Sequence, residues 1–405
     1  MKLLIIGAGI IGASIARVAS MYRGLEVYLL DREVDVGWGA SKANTGILHP
    51  GHEEDPSLYP LRAKLCVEGN RLWRIWARDL DIPVKFPGEL MLIFEGYESE
   101  ARRYIDLAKV NDVPGVRLIY RDEAERLEPL ISREAVAALW ASTAGVISPM
   151  DAVIALVENA VSNGVKLLTE TEVRRVVVSD GRVRGVETNI GFIEADIIVN
   201  AAGIHADEIA RTIGLDYRLK PRKGEYILFD SFANPKPRRI IHPTPTPISK
   251  GIYIVETVDG NLLIGPTAED LPYHSKDDTS TSIEGLSRLL SEASKLIEKL
   301  PSRDRIIKFF AGVRPEPPHG DWIIEAYTDP WGFVDVAGIR SPGLTAAPAI
   351  ALYVFDLIRE KYDLKLEVKS SWYPRRKGIT RIKNKPPSYI KKLVKKDLRY
   401  GSIVC

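Results

Sequence analysis

The first residues of the chain place an apolar strand directly before a glycine-rich turn. The run KLLII from Lys2 leads into Gly7, Gly9 and Gly12 in the spacing Gly-x-Gly-x-x-Gly, and residues 13–22 continue with a helical pattern. Glycines at these positions allow a tight turn, close approach of the backbone to a pyrophosphate, and close packing of the following helix on the strand. The unit therefore predicts a Rossmann-type α/β domain that binds a dinucleotide.

An acidic residue stands at the distance that this motif requires. Asp31 lies 19 residues after Gly12, at the end of a second apolar run over residues 25–30. From the end of a strand its carboxylate can accept hydrogen bonds from the 2′- and 3′-hydroxyls of a ribose. Strand, turn, helix and acid together are much more specific than a glycine turn alone.

The segment after Asp31 indicates which dinucleotide is bound. Residues 37–51 read GWGASKANTGILHPG, which is small and polar where an NAD-binding chain normally continues with a crossover helix and a strand. A backbone this open suits wrapping around a flavin.

At this point the sequence resembles the FAD-dependent oxidoreductase superfamily that includes D-amino acid oxidase. Within it, the chain is most similar to the FAD-dependent glycerol-3-phosphate dehydrogenases and the L-2-hydroxyglutarate dehydrogenase group. Three further stretches extend the resemblance over about residues 1–365, in the family's order. They are DIIVNAAG at 196–203, HPTPTP with GNLLIGPT within 242–267, and AGVRP with GIRSPGLT within 311–345.

The resemblance and the order of elements predict an α/β fold of two interleaved domains. A Rossmann-type, glutathione reductase-like FAD-binding domain alternates with an α+β substrate domain built on an antiparallel sheet. Residues 1–85, 144–214 and 309–365 are assigned to the FAD-binding domain, 86–143 and 215–308 to the substrate or cap domain, and 366–405 to a basic C-terminal tail. Apolar periodicity predicts a helix over residues 57–80, and the Asp180-Gly181 pair predicts a hairpin turn.

The resemblance implies non-covalent FAD and assigns its contacts. The strand end at 200–203 and the backbone of Val173 lie at the adenosine side, and residues 338–345 offer amides and a helix dipole to the N1 and O2 side of the flavin ring. Ser41, Asn44 and Thr45 either contact the pyrophosphate, ribityl chain or ring edge, or cap the loop. The predicted cofactor-binding residues are Gly7, Gly9, Ile10, Ile11, Gly12, Asp31, Arg32, Ser41, Asn44, Thr45, Gly46, Val173, Ala201, Ala202, Gly203, Gly338, Ile339, Gly343, Leu344 and Thr345.

Oxidation of an alcohol by a flavin needs a proton acceptor and cations that hold the substrate. His49 is the candidate general base, because imidazole titrates near neutral pH and the family places a histidine of this loop beside the flavin. Arg314 matches the family arginine that reaches the anionic group of the substrate. Arg340, His52 and Lys250 are further substrate-binding candidates, although Lys250, like Lys223, is also explained as a solvated strand end.

The resemblance implies oxidation of sn-glycerol 3-phosphate to dihydroxyacetone phosphate, with hydride passing to flavin N5 and electrons leaving to a quinone or partner protein. One departure weakens the phosphate site, since Glu53 stands where such enzymes carry an arginine after the loop histidine. Two alternatives stay open. The substrate is L-2-hydroxyglutarate or another 2-hydroxy acid, or the chain is an FAD electron-relay subunit of a complex.

Composition predicts a cytoplasmic protein that binds no nucleic acid and no metal. The 405 residues carry a net charge of +2 and contain two cysteines, and the chain begins with a core strand instead of a signal peptide. No Gln occurs, while Ile, Glu, Lys and Arg are abundant, which is typical of thermophile proteins.

The C-terminal tail concentrates positive charge. From Ser371 onward it holds eleven Lys or Arg and one Asp, so we expect it to behave as a separate electrostatic unit. Apolar residues at 390, 393, 394 and 398 alternate with lysines and predict an amphipathic helix that lies on an anionic membrane or docks a small redox partner. Cys405 ends the chain where many relatives continue into a cysteine-rich domain, and one cysteine alone cannot build a four-thiolate cluster. A homo-oligomer is also expected.

Overall fold

A computed structural model of the chain describes residues 1–245, 250–382 and 385–402. Within these ranges the strands are β1 Lys2–Ile6, β2 Glu26–Leu30, β3 Ile47–Leu48, β4 Val84–Lys85, β5 Glu89–Phe94, β6 Val116–Tyr120, β7 Ala135–Ala141, β8 Gly145–Ile147, β9 Lys166–Leu168, β10 Val173–Ser179, β11 Arg182–Thr188, β12 Gly191–Glu194, β13 Ile197–Asn200, β14 Lys220–Phe229, β15 Ile240–Pro243, β16 Tyr253–Glu256, β17 Leu262–Gly265, β18 Glu269–Asp270, β19 Ile306–Glu316, β20 Ile323–Thr328 and β21 Trp331–Ala337. The α-helices are α1 Ile10–Ala19, α2 Pro60–Asp79, α3 Glu98–Val110, α4 Arg121–Leu127, α5 Pro149–Ser162, α6 Ala206–Arg211, α7 Ile283–Leu296, α8 Gly343–Lys361 and α9 Pro387–Lys396.

The N-terminal strand lies in the middle of the first sheet. Its order is β10-β11-β21-β13-β1-β2-β9, with β12 added beside β11 and β20 beside β21. Strand β1 runs parallel to both of its neighbours, β2 and β13. Successive side chains of a strand point to opposite faces, so Leu3 and Ile5 enter one core and Leu4 and Ile6 another. Both faces of the sheet are therefore covered, as a parallel sheet requires.

Four helices form the larger of these two cores. Helices α1, α2, α5 and α8 contribute Ile15, Trp73, Leu156 and Ile350, all fully buried. Helices α2 and α8 approach closely at Gly69, where an added Cβ atom would lie 2.1 Å from the carbonyl oxygen of Thr345. This contact fixes the start of α8, the helix that ends the resemblance region.

The second sheet has the order β18-β14-β17-β16-β15-β5-β7-β6, and β19 pairs with β14. Most pairs are antiparallel, as predicted, but β15 runs parallel to β5. Helix α7 covers one face through Leu289, Ala293 and Leu296. A small sheet, β3-β8-β4, completes the fold. Strand β19 belongs to the second sheet, although the sequence assignment places its residues from 309 onward with the FAD-binding segments.

Two local predictions are confirmed. The helix expected over residues 57–80 is α2, and the hairpin joins β10 to β11 in antiparallel register. Its turn residues have φ of 53° at Asp180 and 67° at Gly181, which is the backbone that a two-residue hairpin turn of the primed type needs.

The first part of the basic tail is held against the rest of the protein, and its concentration of positive charge stays a separate prediction. The amide of Lys369 donates to the carbonyl of Met21 at 2.7 Å, and Asn159 Nδ2 donates to the carbonyl of Tyr373 at 3.1 Å. Trp372 Nε1 donates to Ser20 Oγ at 3.2 Å. Backbone and side-chain hydrogen bonds thus fasten the segment around 369–376 to the residues that follow α1 and to α5.

The amphipathic helix of the tail is shorter than the sequence pattern predicts. Helix α9 ends at Lys396, and Leu398 begins a short 3₁₀ turn with its side chain 81% exposed. The prediction for Cys405 lies outside the described residues. Over the described ranges, no helix is both long and apolar enough to cross a membrane.

Candidate active site

A cavity of about 600 Å³ lies where the two sheets meet. Its wall begins at the glycine turn after β1, follows the loop after β2, and reaches Arg314 on β19 at the far end. Residues from the first sheet, from its loops and from the second sheet therefore face one space. A long cavity of this size suits an extended cofactor together with a small substrate.

The glycines of the opening turn are required by backbone contacts. Gly7 has φ of +99°, and a Cβ atom there would lie 2.4 Å from the carbonyl oxygen of Ala201. At Gly12 a Cβ atom would lie 1.8 Å from the carbonyl oxygen of Gly7. Gly12 does not line the cavity, but it allows α1 to pack closely on the turn that does.

Asp31 also lines the cavity, and its carboxylate organises the turn. The amide of Ala8 donates to Oδ2 at 2.7 Å and the amide of Glu33 donates to Oδ1 at 3.0 Å. Burial raises the pKa of Asp31, while these two amides oppose the rise. Each oxygen keeps a further lone pair, so the carboxylate can still accept a hydrogen bond from a ribose hydroxyl.

The polar side chains of the loop after β2 mainly form hydrogen bonds with backbone groups. Ser41 Oγ accepts a hydrogen bond from the amide of Ile10 at 2.9 Å, at the start of α1. Asn44 donates to the carbonyl of Ser41 and accepts from the amide of Gly46, both at 2.9 Å. Both polar side chains line the cavity, as does Thr45, so capping and cofactor contact are compatible roles.

The segment around 338–345 brings the start of α8 to the cavity. The amide of Gly343 donates to the carbonyl of Arg340 at 2.8 Å, which closes a tight turn before the helix. Thr345 Oγ1 accepts a hydrogen bond from the amide of His49 at 2.9 Å. The helix start and the loop histidine are therefore tied directly to each other.

Most of the predicted cofactor residues face this one space. Those that line it are Gly7, Gly9, Ile10, Ile11, Asp31, Arg32, Ser41, Asn44, Thr45, Val173, Ala201, Ala202, Gly203, Ile339, Gly343, Leu344 and Thr345. The cavity wall does not include Gly12, Gly46 or Gly338. Gly46 and Gly338 have φ of +71° and +70°, and added Cβ atoms would lie 2.4 Å from the carbonyl of Ile147 and 2.9 Å from Pro317, so both permit tight turns.

His49 lies in the cavity wall with its ring almost wholly buried. Ser341 Oγ lies 3.4 Å from Nε2, and Glu53 Oε2 lies 3.8 Å from Nδ1. Burial, reinforced by the nearby charge of Lys250, lowers the pKa of His49 to about 3. The imidazole is thus neutral near pH 7 and has a lone pair that can accept a proton.

Arg314 projects from β19 into the far end of the cavity. Its Nη2 donates to the carbonyl of Thr267 at 2.9 Å, and weaker contacts reach the carbonyls of Arg222 and Lys223 at 3.5 Å. Among the described side chains it has no carboxylate partner within 4 Å. Strand β19 also lies against the 41–49 loop, since a Cβ atom at Gly312 would lie 2.6 Å from Cβ of Ala43.

Arg340 lines the cavity too, but it already has an anionic partner. Its Nε lies 2.8 Å from Oε2 of Glu316. Burial lowers the pKa of Arg340, and Glu316 opposes that effect. Arg314 is therefore the more available of the two cations for an anionic ligand.

Lys223 is buried and the side chain of Lys250 is only 18% exposed, so the interpretation of both as solvated strand ends is wrong. Lys250 Nζ lies 2.7 Å from Glu53 Oε2 and 2.6 Å from Glu54 Oε1. Although burial opposes its charge, Glu53 and Glu54 raise the pKa of Lys250. Lys223 pairs with Asp278 at 3.3 Å. Lys250 lines the cavity with its charge already compensated.

His52 lies behind this wall and does not reach the cavity, which is a correction to its prediction as a substrate contact. Its side chain is 1% exposed, and its Nδ1 lies 3.7 Å from Glu89 Oε1. Burial lowers the pKa of His52 to about 4 and raises the pKa of Glu89 far above its usual range. Burial therefore disfavours the charged form of both groups.

Sequence reasoning missed a strap, residues 275–278, which forms ion pairs with Arg32, His205 and Glu208. Arg32 Nη2 lies 2.6 Å from Asp277 Oδ1, and His205 Nε2 lies 3.1 Å from the same oxygen. Lys276 Nζ lies 2.8 Å from Glu208 Oε1. The only signal was the charged run SKDD at 275–278, whose partners are distant in sequence. Ser341 and Tyr253 were also missed, because neither residue type marks a site alone.

These features fit FAD. The glycine turn leaves no room for side chains where a pyrophosphate would approach, an acid stands at the ribose position, and the start of α8 offers a positive helix end to a flavin ring. Residues 338–345 and the 41–49 loop would contact the flavin ring.

Comparison with known proteins agrees with this geometry. The family described as DAO, FAD dependent oxidoreductase, matches residues 2–357. A glycerol 3-phosphate dehydrogenase of Caloramator mitchellensis is 38% identical over 403 residues, which cover 99% of this chain and 82% of the relative. A glycerol 3-phosphate oxidase of Mycoplasma genitalium is 29% identical, covering 92% and 97% of the two chains.

A solved structure shows the same architecture. It is the dithionite-reduced L-α-glycerophosphate oxidase of Mycoplasma pneumoniae with FAD bound, and it superimposes with a TM-score of 0.86 at 27% identity. The match covers 94% of this chain and 99% of that one.

Proposed function

Because the chain belongs to the FAD dependent oxidoreductase family, with FAD as its cofactor, we propose that it oxidises sn-glycerol 3-phosphate to dihydroxyacetone phosphate. One observation carries the proposal. A neutral histidine, His49, and an arginine without a carboxylate partner among the described residues, Arg314, face a single cavity that also contains the glycine turn. The relatives at 38% and 29% identity are named as a glycerol 3-phosphate dehydrogenase and a glycerol 3-phosphate oxidase.

FAD would be held non-covalently along the glycine turn, Asp31, the 41–49 loop and the start of α8. When bound, it supplies the hydride acceptor of the reaction. The chain's own residues do the remaining work: they hold the substrate, exclude water and take up the hydroxyl proton. The division into FAD-binding segments 1–85, 144–214 and 309–365 and cap segments 86–143 and 215–308 remains our proposal for how the two parts share these tasks.

His49 would accept the proton of the C2 hydroxyl at Nε2. This nitrogen lies on the side of Ser341, at the cavity wall, while Nδ1 faces Glu53. A neutral imidazole whose lone pair meets the substrate can act as a general base. Ser341 Oγ would donate to the same substrate oxygen or to Nε2 before the substrate arrives.

Arg314 would bind the phosphate. A planar guanidinium donates two parallel hydrogen bonds to a phosphate or a carboxylate, and the bonds of Arg314 to backbone carbonyls leave its positive charge unbalanced. Arg340 and Lys250 would contribute positive potential at the same end, although Glu316, Glu53 and Glu54 pair with them. Glu53, which stands in place of a family arginine, therefore shifts the task of phosphate binding onto Arg314.

The electrons would leave to a quinone or a partner protein. The basic segment from Ser371 is the candidate docking region for a small redox protein or for an anionic membrane surface, which would keep the enzyme at the cytoplasmic face. A homo-oligomer is part of the same proposal. Vesicle binding by the full chain, compared with a chain ending at residue 374, tests the membrane version.

The decisive experiment for the substrate is reduction of the bound flavin. The FAD-loaded protein is mixed without oxygen with sn-glycerol 3-phosphate, L-2-hydroxyglutarate, L-lactate or glycine, and flavin absorbance is followed. Bleaching by glycerol 3-phosphate alone supports the proposal. Bleaching only by a hydroxy acid replaces it with the 2-hydroxy acid alternative, and no bleaching by any of the four favours an electron-relay subunit.

The anion site is tested by Arg314→Met. Loss of a charge-assisted bidentate contact should lower kcat/KM for glycerol 3-phosphate by about 100-fold. Arg133→Met, at an 84% exposed side chain outside the cavity, is the matched control and should keep wild-type kinetics.

A further inference from the structure

The Glu53 carboxylate is placed behind His49 in a buried cluster. The two side chains are four residues apart in one loop, with exposed fractions of 5% and 8%. Glu53 Oε2 lies 3.8 Å from His49 Nδ1. In the described structure that nitrogen is buried without a hydrogen-bond partner, which is rare for a buried polar atom and calls for an explanation.

Glu53 is ionised despite its burial. Lys250 Nζ lies 2.7 Å from Oε2, and Tyr253 OH donates to Oε1 at 3.4 Å. Burial disfavours the anion, but Lys250 and then His242 lower the pKa of Glu53 well below its usual range. The Glu53 oxygen that lies 3.8 Å from the unpartnered Nδ1 therefore belongs to an anionic hydrogen-bond acceptor.

Resting on the proposed function, we infer that Glu53 is a positioning residue for His49. It holds the Nδ1 proton toward the protein, so that the Nε2 lone pair faces the cavity, and it balances the positive charge that His49 gains when it takes up the substrate proton. A contraction of less than about 1 Å would bring the two atoms within hydrogen-bond distance. In the reaction, the O–H bond of the alcohol breaks, its proton forms a bond to Nε2, and Nδ1 keeps its own proton.

Lys250 has the opposite effect on His49. The titratable groups that face the ring are Lys250, Glu53, His242 and His52, with the edge of Tyr253 packed beside it. Lys250, His242 and His52 lower the pKa of His49, whereas Glu53 raises it. Loss of the Glu53 charge would leave Glu54 as the one remaining carboxylate paired with Lys250 in the described structure, so the positive charge beside the base would be less well balanced.

Glu54 separates this role from a purely structural one. It also accepts from Lys250, at 2.6 Å, and it pairs with Arg62 at 3.1 Å, but it makes no ion pair with His49 in the described structure. If Glu53 only neutralises Lys250, the substitutions Glu53→Gln and Glu54→Gln should have similar effects. If Glu53 positions His49, only Glu53→Gln should affect proton abstraction.

The kinetic test measures the rate of flavin reduction by glycerol 3-phosphate against pH. Glu53→Gln should lower the limiting rate by about 100-fold with KM changed less than about threefold, as expected when a general base loses its orienting carboxylate. Its acid-side apparent pKa should fall, whereas Lys250→Met should raise it. Glu54→Gln should stay within about threefold of the wild type. Equal losses in the two Glu→Gln variants would overturn the inference.

A second readout does not depend on activity. Nitrogen-15 NMR of labelled histidine in the full chain reports which ring nitrogen carries the proton, and His49→Asn assigns the signal among the six histidines. We expect His49 protonated at Nδ1 at pH 7. Protonation at Nε2 in the wild-type protein would overturn the inference even if a Glu53 variant failed to fold. If glycerol 3-phosphate does not reduce the wild-type flavin, the proposed function fails while this measurement still decides the role of Glu53.

Discussion

Ser41 Oγ lies 2.9 Å from the backbone nitrogen of Ile10, so a residue 31 positions later supplies the hydrogen-bond acceptor that Gly9 cannot offer to the start of α1. Ser41→Ala should lower the free energy of unfolding of the FAD-free chain by about 1 kcal/mol, the usual value of a lost helix cap. Because Ser41 also lines the cavity, FAD affinity should fall by about tenfold, measured by flavin fluorescence titration.

The matched control for Ser41 is Ser148. Its Oγ accepts from the amide of Asp151 at 3.3 Å at the start of α5, away from the cavity wall. Ser148→Ala should cost similar stability and leave FAD affinity unchanged. An equal loss of FAD affinity in both variants would show that the effect comes from stability alone.

The strap at residues 275–278 should control how long FAD stays bound. Asp277→Asn removes the charge that meets Arg32 at 2.6 Å and His205 at 3.1 Å. Since the Asp277 side chain is 67% exposed, the pair is screened by water, and we expect FAD to dissociate only about two- to fivefold faster. Stopped-flow release of FAD measures this rate. Asp304→Asn, at an exposed position outside the cavity, should leave it unaltered, and the difference between the two should shrink at high salt.

Attachment of the tail depends on Trp372. Its indole donates to Ser20 Oγ and lies 5.4 Å from the buried guanidinium of Arg17. Trp372→Ala should therefore speed trypsin cleavage at residues 375–377 by about tenfold, since cleavage follows the population of the opened segment. Tyr373→Ala, at a neighbouring ring that is 62% exposed, should cleave at the wild-type rate. A wild-type cleavage rate in Trp372→Ala would indicate that the backbone hydrogen bonds alone, and not the indole, hold the segment.

Asp335 should make the stability depend on pH. Burial raises its pKa to about 7, although Tyr217 OH and Asn200 Nδ2 donate to it at 2.7 and 2.9 Å. The folded chain therefore keeps this proton to higher pH than the unfolded chain, so the free energy of unfolding should decrease between about pH 4 and pH 7 and level off above. The contribution is about 4 kcal/mol.

Asp335→Asn isolates this group from all other carboxylates. The variant should lose less stability than the wild type between pH 4 and pH 8, measured by urea unfolding at each pH. Parallel curves for the two proteins would mean that Asp335 titrates at its ordinary value.

Local sequence determined what the N-terminal unit would be. The opening strand, turn and helix follow one another directly in the chain. Spacing alone was therefore enough to predict the positions of Gly7, Gly12 and Asp31. His49 and Arg314 were named from the family resemblance, and the structure brings both to one cavity. Their roles are still to be tested.

Long-range burial explains what the sequence did not reveal. Lys250 is 197 residues from Glu53, so no local sequence pattern shows that the fold brings its charge to that carboxylate. His52 follows His49 by three residues, yet the turn of the loop directs it behind the wall. The apolar periodicity extends to Leu398, but α9 ends at Lys396. Asp397 accepts a hydrogen bond from the amide of Arg399 and caps the turn that follows, which the periodicity of apolar residues cannot show.

The close contact between Gly312 and Ala43 limits how far β19 can move relative to the loop that borders the cofactor. Strand β19 carries Arg314 two residues beyond Gly312, and Ala43 belongs to the loop that borders the cofactor. Only the methyl group of Ala43 lies between these two backbones, so the spacing between the strand that carries Arg314 and the loop is set by main chain. Exchanging single side chains would therefore retune how strongly an anion is held, whereas accepting a substrate of different length would require rebuilding the strand or the loop.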